Sequence, residues 1–272
     1  MKTVRTIGEI RGLLQPLRPH ASIGLVPTMG AFHGGHIALF RAARAECDQV
    51  VASLFVNPSQ FGDPADLAAY PRDEARDARI AEESGVDVLF APTVGEMFPP
   101  GHTTWIEIDG VARGLEGNHR PGHFRGVATV CVKLFTIVGP RLAFFGQKDA
   151  QQVAVVKQVV RDLNLDLDIR VAATVRDADG LALSSRNVRL SPDDRERARA
   201  VPRAIAAGLA AHRLGRDAVA AARAALGGLE VDYVAIADFE GRPTLAIAAR
   251  VGGTRLIDNV LLTDDNPDGA VI

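Results

Sequence analysis

Short apolar runs alternate with amphipathic segments of helical period through roughly the first two thirds of this 272-residue chain. The runs at residues 23–26, 50–56, 86–90, 142–145 and 168–171 are too short for helices, and those at 23–26, 50–56 and 142–145 are too uniformly apolar for strands with one wet face. Between them, residues 35–46, 73–84, 127–138 and 150–163 carry apolar side chains at helical spacing, and Ile7, Ile10, Leu13, Leu14 and Leu17 do so ahead of the first run. A strand buried on both faces needs a crossover helix to reach its parallel neighbour. The alternation therefore implies an α/β fold with a Rossmann-like parallel sheet. Ligands of such sheets bind just beyond the carboxyl ends of the strands.

The pattern changes near Ser191-Pro192, a helix N-cap followed by a first-turn proline. A long Ala/Arg-rich helix to about residue 214 and a second at 217–226 are expected, then strands at 231–236, 244–249 and 254–260. Helices followed by strands indicate a smaller C-terminal α+β domain. The expected division is 1–176 for the parallel-sheet domain and 177–262 for the smaller one. The acidic, Pro/Gly-containing tail at 263–272 is expected to be disordered.

Composition narrows the class. With 47% hydrophobic and 24% charged residues and a net charge of −2, the chain lacks the basic excess of a nucleic-acid binder. Only two cysteines, Cys47 and Cys131, indicate a reducing compartment, and no signal-peptide core is visible at the N-terminus. No apolar run approaches the roughly 20 residues of a membrane span. The expected setting is cytoplasmic, without membrane or nucleic-acid partners.

Chemistry-bearing residues fall where strands end. Met29-Gly30-Ala31-Phe32-His33-Gly34-Gly35-His36 follows the first apolar run and opens a helix. Backbone N–H groups at a helix N-terminus attract anions, phosphate above all, and histidines add donors that titrate near neutrality. A metal pair is the alternative, but zinc usually takes a third protein ligand and none is near in sequence. Gly146-Gln147-Lys148-Asp149 likewise sits between strand and helix. Lys148 can reach phosphate as a point charge, while Asp149 and Gln152 also have capping-box spacing. Ser184-Ser185-Arg186 offers two hydroxyls and a guanidinium for phosphate oxygens, or is a simple turn. Asn57-Pro58-Ser59-Gln60 reads as a polar turn after a strand. The Gly-rich, basic stretch 115–126 reads as a mobile loop over a site or as plain surface.

Taken in order, these segments resemble the pantoate–β-alanine ligases (pantothenate synthetases) of the His-x-Gly-His nucleotidyltransferase superfamily. The similarity runs through Pro27 to His36, Phe55 to Phe61, Tyr70-Pro71-Arg72, Arg120 to Val127, Phe144 to Gln152, Asp179 to Asn187, Val231-Asp232-Tyr233 and Gly253 to Asn259. It implies ATP-dependent condensation of (R)-pantoate with β-alanine to pantothenate, AMP and pyrophosphate, through a pantoyl adenylate. It further implies Mg²⁺ with the nucleotide, by ligands the sequence does not identify, and a homodimer.

The site residues that the resemblance implies are these. His36, His33, Lys148 and Arg186 carry catalysis. Met29, Gly30, Ala31, Phe32, His33, Gly34, Gly35, His36, Gly146, Gln147, Lys148, Asp149, Val175, Leu183, Ser184, Ser185 and Arg186 contact ATP. Gln60 binds pantoate and β-alanine, and Gln152 binds pantoate. Glu116 and Arg120 are loop contacts, and Asp77 stays outside the set. Two positions depart from the family pattern: Leu183 stands where Met is usual, and Gln147 where Glu is usual. The alternatives are another nucleotidyltransferase and a nucleotide-binding protein without activity. The first would not account for Gln60 and Gln152 in their contexts.

Overall fold

The computed structural model describes residues 1–263. The tail expected to be disordered lies, but for Thr263, outside the described residues. The chain divides into two compact units. The first comprises Met1–Phe145 and Gln152–Ala172; the second takes Gly146–Gln151 and the chain from Ala173 onward.

The first unit runs β1 (Lys2–Val4), α1 (Ile7–Leu14), β2 (Ile23–Thr28), α2 (Gly34–Glu46), β3 (Gln49–Leu54), α3 (Pro64–Ala68), α4 (Glu74–Glu83) and β4 (Val88–Phe90). It continues through α5 (Val94–Met97), α6 (Leu115–His119), α7 (His123–Val138), β5 (Leu142–Gly146) up to Phe145, α8 (Ala150–Asp162) from Gln152, and β6 (Asp168–Ala172). Sheet order is β1-β4-β3-β2-β5-β6, and the β1/β4, β4/β3, β3/β2 and β2/β5 pairs are parallel. The expected parallel α/β sheet is thus present. From β2 the chain builds outward to β3 and β4 on one side, then to β5 and β6 on the other. The order therefore reverses between β2 and β5, the position where such sheets bind ligands.

Both sheet faces are covered, which is why the strands read as apolar runs. Val51, Phe90, Ala143 and Phe145 pack with Leu14, Val127, Leu134 and Val156 in one cluster. Val26, Val50, Ala52 and Leu89 pack with Phe32, Phe40, Ala43 and Ala81 in another.

The second unit holds α9 (Pro192–Ala198), α10 (Ala200–Arg213), α11 (Ala218–Ala225) and an antiparallel sheet β7-β8-β9 (Glu230–Asp238, Pro243–Val251, Thr254–Leu261). Ile205, Leu209 and Ala222 cover Leu245, Ile247 and Val260.

Two expectations are corrected, and one strand was not anticipated. The single helix expected from 192 to 214 is broken at Arg199. Pro202 has no N–H for the Ala198 carbonyl, and its ring crowds that carbonyl, so one helix cannot run through. The mobile loop expected at 115–126 is instead α6 and the first turn of α7, pinned at Gly126, where a Cβ would lie 2.5 Å from the Ser59 carbonyl oxygen. The N-terminal five residues contain β1, a strand too short for periodicity to reveal; its register comes from β4, with Lys2 opposite Val88.

Candidate active site

The turn between β2 and α2 is built by residues distant in sequence. Thr28, the last residue of β2, receives a backbone bond from Phe55 at 3.1 Å, and its own amide donates to Ser53 Oγ at 3.1 Å. Gly30 then takes φ = 87°, which a side chain would resist; a Cβ there would also meet Leu54 and Asp77. Ala31 follows with φ = 54°. Their unusual conformation is held from α4: Asp77 accepts from Ala31 N–H through Oδ2 (2.7 Å) and from Phe32 N–H through Oδ1 (2.8 Å). Asp77 is 1% exposed. Two charge-assisted bonds to backbone donors are the compensation a buried carboxylate needs.

His33 is the N-cap of α2. Its Nδ1 accepts from Gly35 N–H at 3.2 Å, and His36 Nδ1 accepts from His33 N–H at 3.3 Å. An Nδ1 that accepts carries no proton, so in each neutral ring the N–H is at Nε2. The two rings lie 4.3 Å apart, and His36 packs against the buried Phe32, 5.2 Å away. Both imidazoles therefore present an Nε2 donor at a helix N-terminus, a combination suited to phosphate oxygens.

A second cluster in the first unit surrounds Gln60, which lies in a 3₁₀ turn entered through Asn57 and Pro58. Gln60 donates to Met29 Sδ (3.1 Å) and accepts from Asn57 Nδ2 (2.9 Å), which also donates to the Gly126 carbonyl. Arg120 Nη1 lies 3.2 Å from His123 Nε2. A guanidinium can only donate, so Nε2 accepts and His123 Nδ1–H donates to the Gln60 carbonyl at 3.0 Å. Glu116 pairs loosely with Arg120 at 3.8 Å. Arg120 thus backs Gln60 both through His123 and by its own Nη2, 3.5 Å from the Gln60 carbonyl, with Glu116 behind it. Gln152 lies in the first turn of α8, in the same unit.

The second unit brings together the other expected groups. Gly146-Gln147-Lys148-Asp149 forms the end of β5 and a 3₁₀ turn that runs into α8. Lys148 Nζ lies 3.7 Å from Asp149 Oδ1. Val175 accepts a backbone bond from Leu183 N–H at 2.9 Å, within a short antiparallel bridge of Arg176 with Ala182. Ser184 caps the 3₁₀ turn Ser185–Arg189 by accepting from Arg186 N–H at 3.2 Å. The intervening turn is braced by Arg195, which reaches Asp177 (2.5 Å) and Asp179 (2.8 Å). The Ala178 N–H and then Arg195 hold the Asp177 carboxyl below its ordinary range.

Sequence reasoning left Asp77 outside the site and gave Asn57, His123 and Asn259 no role of their own. Asp77 carried a signal: it shares a face of α4 with the buried Ala81, four residues on, and a carboxylate on an apolar face demands a partner. His123 and Asn259 act through contacts 63 and 112 residues away, which no local pattern encodes. Among the described residues, no three His, Cys, Asp or Glu side chains group as a metal site.

Relatives resolve the family. The profile described as pantoate-beta-alanine ligase matches residues 2–261. The chain belongs to the pantoate–β-alanine ligase family. It is 49% identical to the pantothenate synthetase of Acidobacterium capsulatum, over 96% of this chain and 97% of that one. It is also 49% identical to that of Rhizorhabdus wittichii, over 96% and 98%. The crystal structure of pantothenate synthetase from Thermus thermophilus superposes with a TM-score of 0.92 at 44% identity, covering 96% and 99%. The pantoate-beta-alanine ligase of Francisella tularensis, solved with beta-gamma ATP and beta-alanine, gives 0.83 at 36% identity, covering 96% and 98%. No helix of the described residues is long and apolar enough to cross a membrane.

Proposed function

We propose that this pantoate–β-alanine ligase condenses (R)-pantoate with β-alanine at the expense of ATP, through pantoyl adenylate. One observation carries the reading: two imidazoles whose Nδ1 atoms are engaged by backbone N–H groups, each with its remaining ring N–H at a helix N-terminus.

In the first step a pantoate carboxylate oxygen attacks the α-phosphorus of ATP. The P–O bond to the β-phosphate breaks and pyrophosphate leaves with its electron pair. Charge grows on the equatorial and leaving oxygens, where positioned donors act most strongly. His36 and His33 donate to phosphate oxygens through Nε2; Lys148 and Arg186 neutralise the leaving charge; Ser184 and Ser185 bind the phosphate chain. Backbone from Met29 to Gly35, from Gly146 to Asp149, and at Val175 and Leu183 lines the nucleotide. In the second step the β-alanine amine attacks the acyl carbon, the bond to AMP breaks, and the amine gives up a proton. Gln60 and Gln152 hold pantoate by its hydroxyls and carboxylate, and Gln60 also borders β-alanine.

Mg²⁺ enters as part of the nucleotide substrate: it keeps much of its water and binds phosphates readily, without a dedicated protein cage. We assign nucleotide and pantoate binding to residues 1–176, a lid role to 177–262, a homodimeric assembly and a cytoplasmic setting.

The test is AMP release in the presence of ATP and Mg²⁺ with each acid substrate withheld in turn. AMP release should require both pantoate and β-alanine, and pyrophosphate release should require pantoate alone. AMP release indifferent to β-alanine would overturn the reading.

A further inference from the structure

Gln147, where the family usually has Glu, is tied by its side chain to strand β9. Its Nε2 donates to Asn259 Oδ1 at 3.2 Å. Asn259 Nδ2 then donates its two hydrogens to the carbonyls of Gln147 (3.0 Å) and Lys148 (2.8 Å). Asn259 is 3% exposed, and every hydrogen-bonding atom of its amide is engaged. A primary amide has one acceptor and two donor hydrogens, so the Gln147 donor selects the orientation in which Nδ2 faces the two carbonyls.

The geometry determines more than one contact. The Gln147 and Lys148 carbonyls belong to the two peptide planes on either side of the Lys148 Cα. One plane sets φ of Lys148 and the other sets ψ. Holding both fixes the direction of the Lys148 Cα–Cβ bond, from which the ammonium is aimed. Asn259 is itself fixed by its place opposite Ala246 in the β8/β9 ladder. Its backbone N–H donates to Asp258 Oδ1 at 2.8 Å. Asp258 takes both terminal nitrogens of Arg176 (2.7 and 3.0 Å), and Arg176 also donates to the Gly180 carbonyl.

We propose that Asn259 is a positioning residue for Lys148: it pins the peptide planes on both sides of Lys148 and so aims the ammonium that neutralises phosphate charge. The inference rests on the phosphate role proposed above for Lys148. A misplacement of about 1 Å in a catalytic group can cost up to about 10²-fold in rate. Loss of Asn259 should therefore act on the rate of adenylate formation, and only through Lys148.

The experiment measures pantoate-dependent pyrophosphate release by the full chain in four forms: parent, Asn259→Ala, Lys148→Ala and the double variant. Asn259→Ala should lose roughly tenfold or more, and Lys148→Ala on the order of 10²-fold. The double variant should fall no further than Lys148→Ala alone, because removing the aimed group leaves nothing to aim. Effects that multiply would show that Asn259 acts on stability rather than on Lys148, and would overturn the proposal. So would Asn259→Ala within twofold of parent while Lys148→Ala is slow. Lys148→Ala at the parental rate would remove the assigned role of Lys148, and this inference with it. Should Asn259→Ala fail to fold, Gln147→Met removes the donor that orients Asn259 at nearly constant volume. The same cycle with Lys148→Ala then decides: a loss that vanishes without Lys148 supports the proposal, and one that persists overturns it.

Discussion

The Asp77 carboxylate lies 2.7 Å from the backbone nitrogen of Ala31, 46 residues earlier in the chain, and its other oxygen is 2.8 Å from that of Phe32. One buried acid on α4 thereby holds the turn that sets the entry of α2, and with it His33 and His36.

Asp77→Asn keeps one acceptor but turns an N–H₂ toward a backbone donor. Buried charge-assisted bonds and the donors left unpaired make the expected loss of stability on the order of 3 kcal/mol. It should be read as a lower midpoint in urea unfolding. Pyrophosphate release measured well below that midpoint should also fall, since the histidine turn loses its brace. An unchanged midpoint would show that the turn needs no support from α4.

His36→Ala removes the imidazole that packs on Phe32 and His33, with its Nδ1 acceptor and Nε2 donor, while leaving the Phe32–Phe40 contact in place. Adenylate formation should drop by roughly 10²-fold, the usual cost of one preorganised donor. The far-ultraviolet circular dichroism and melting temperature should stay near those of the parent. A parental rate of pyrophosphate release would take His36 out of the catalytic set.

His123→Ala deletes the shorter of two hydrogen bonds to the Gln60 carbonyl, leaving that of Arg120 at 3.5 Å, without touching the Gln60 side chain. The expected effect is a raised KM for pantoate, several-fold, because a hydrogen bond of about 1 kcal/mol is lost behind the residue proposed to bind pantoate. Initial rates at saturating ATP over a range of pantoate concentrations would measure it. A change in KM for ATP alone would place His123 elsewhere.

Asp232 in the second unit is expected to contribute to the acid limit of stability. Burial pushes its carboxyl up, but the hydrogen bond and charge of Arg255, with Arg250 beside it, prevail and hold it below the ordinary carboxylate range. A pKa lower in the folded than in the unfolded state contributes stability that is complete above the unfolded value, about 3.9, and disappears as pH falls through the lowered native value. Unfolding free energies taken from pH 7 down to pH 3 should decline less steeply for Asp232→Asn than for the parent. Parallel curves would assign the acid limit to other carboxylates.

Both thiols are shielded. Burial pushes Cys131 up to about 12 and raises Cys47 as well. At pH 8 neither forms appreciable thiolate, so a disulfide reagent such as Ellman's should label the native protein very slowly and both cysteines rapidly in denaturant. Fast labelling of a native thiol would reveal local opening at α2 or α7.

Much of this protein is legible in its sequence. The parallel sheet was readable because strands covered on both faces must be apolar throughout, and period-3.6 segments between them leave few other topologies. The turn at His33 to His36 and the segments at Lys148 and Ser184 to Arg186 were readable because helix starts and tight turns are made by neighbours in the chain. What braces those segments was not. Asp77 behind Ala31, His123 behind Gln60 and Asn259 behind Lys148 are pairings between residues 46, 63 and 111 positions apart. A buried polar group must find a partner, but local periodicity carries no information about which distant one. The break at Arg199 lay between these cases: Pro202 was visible, yet a proline in the first turn of a new helix and one inside a continuous helix differ only in how the preceding turn packs.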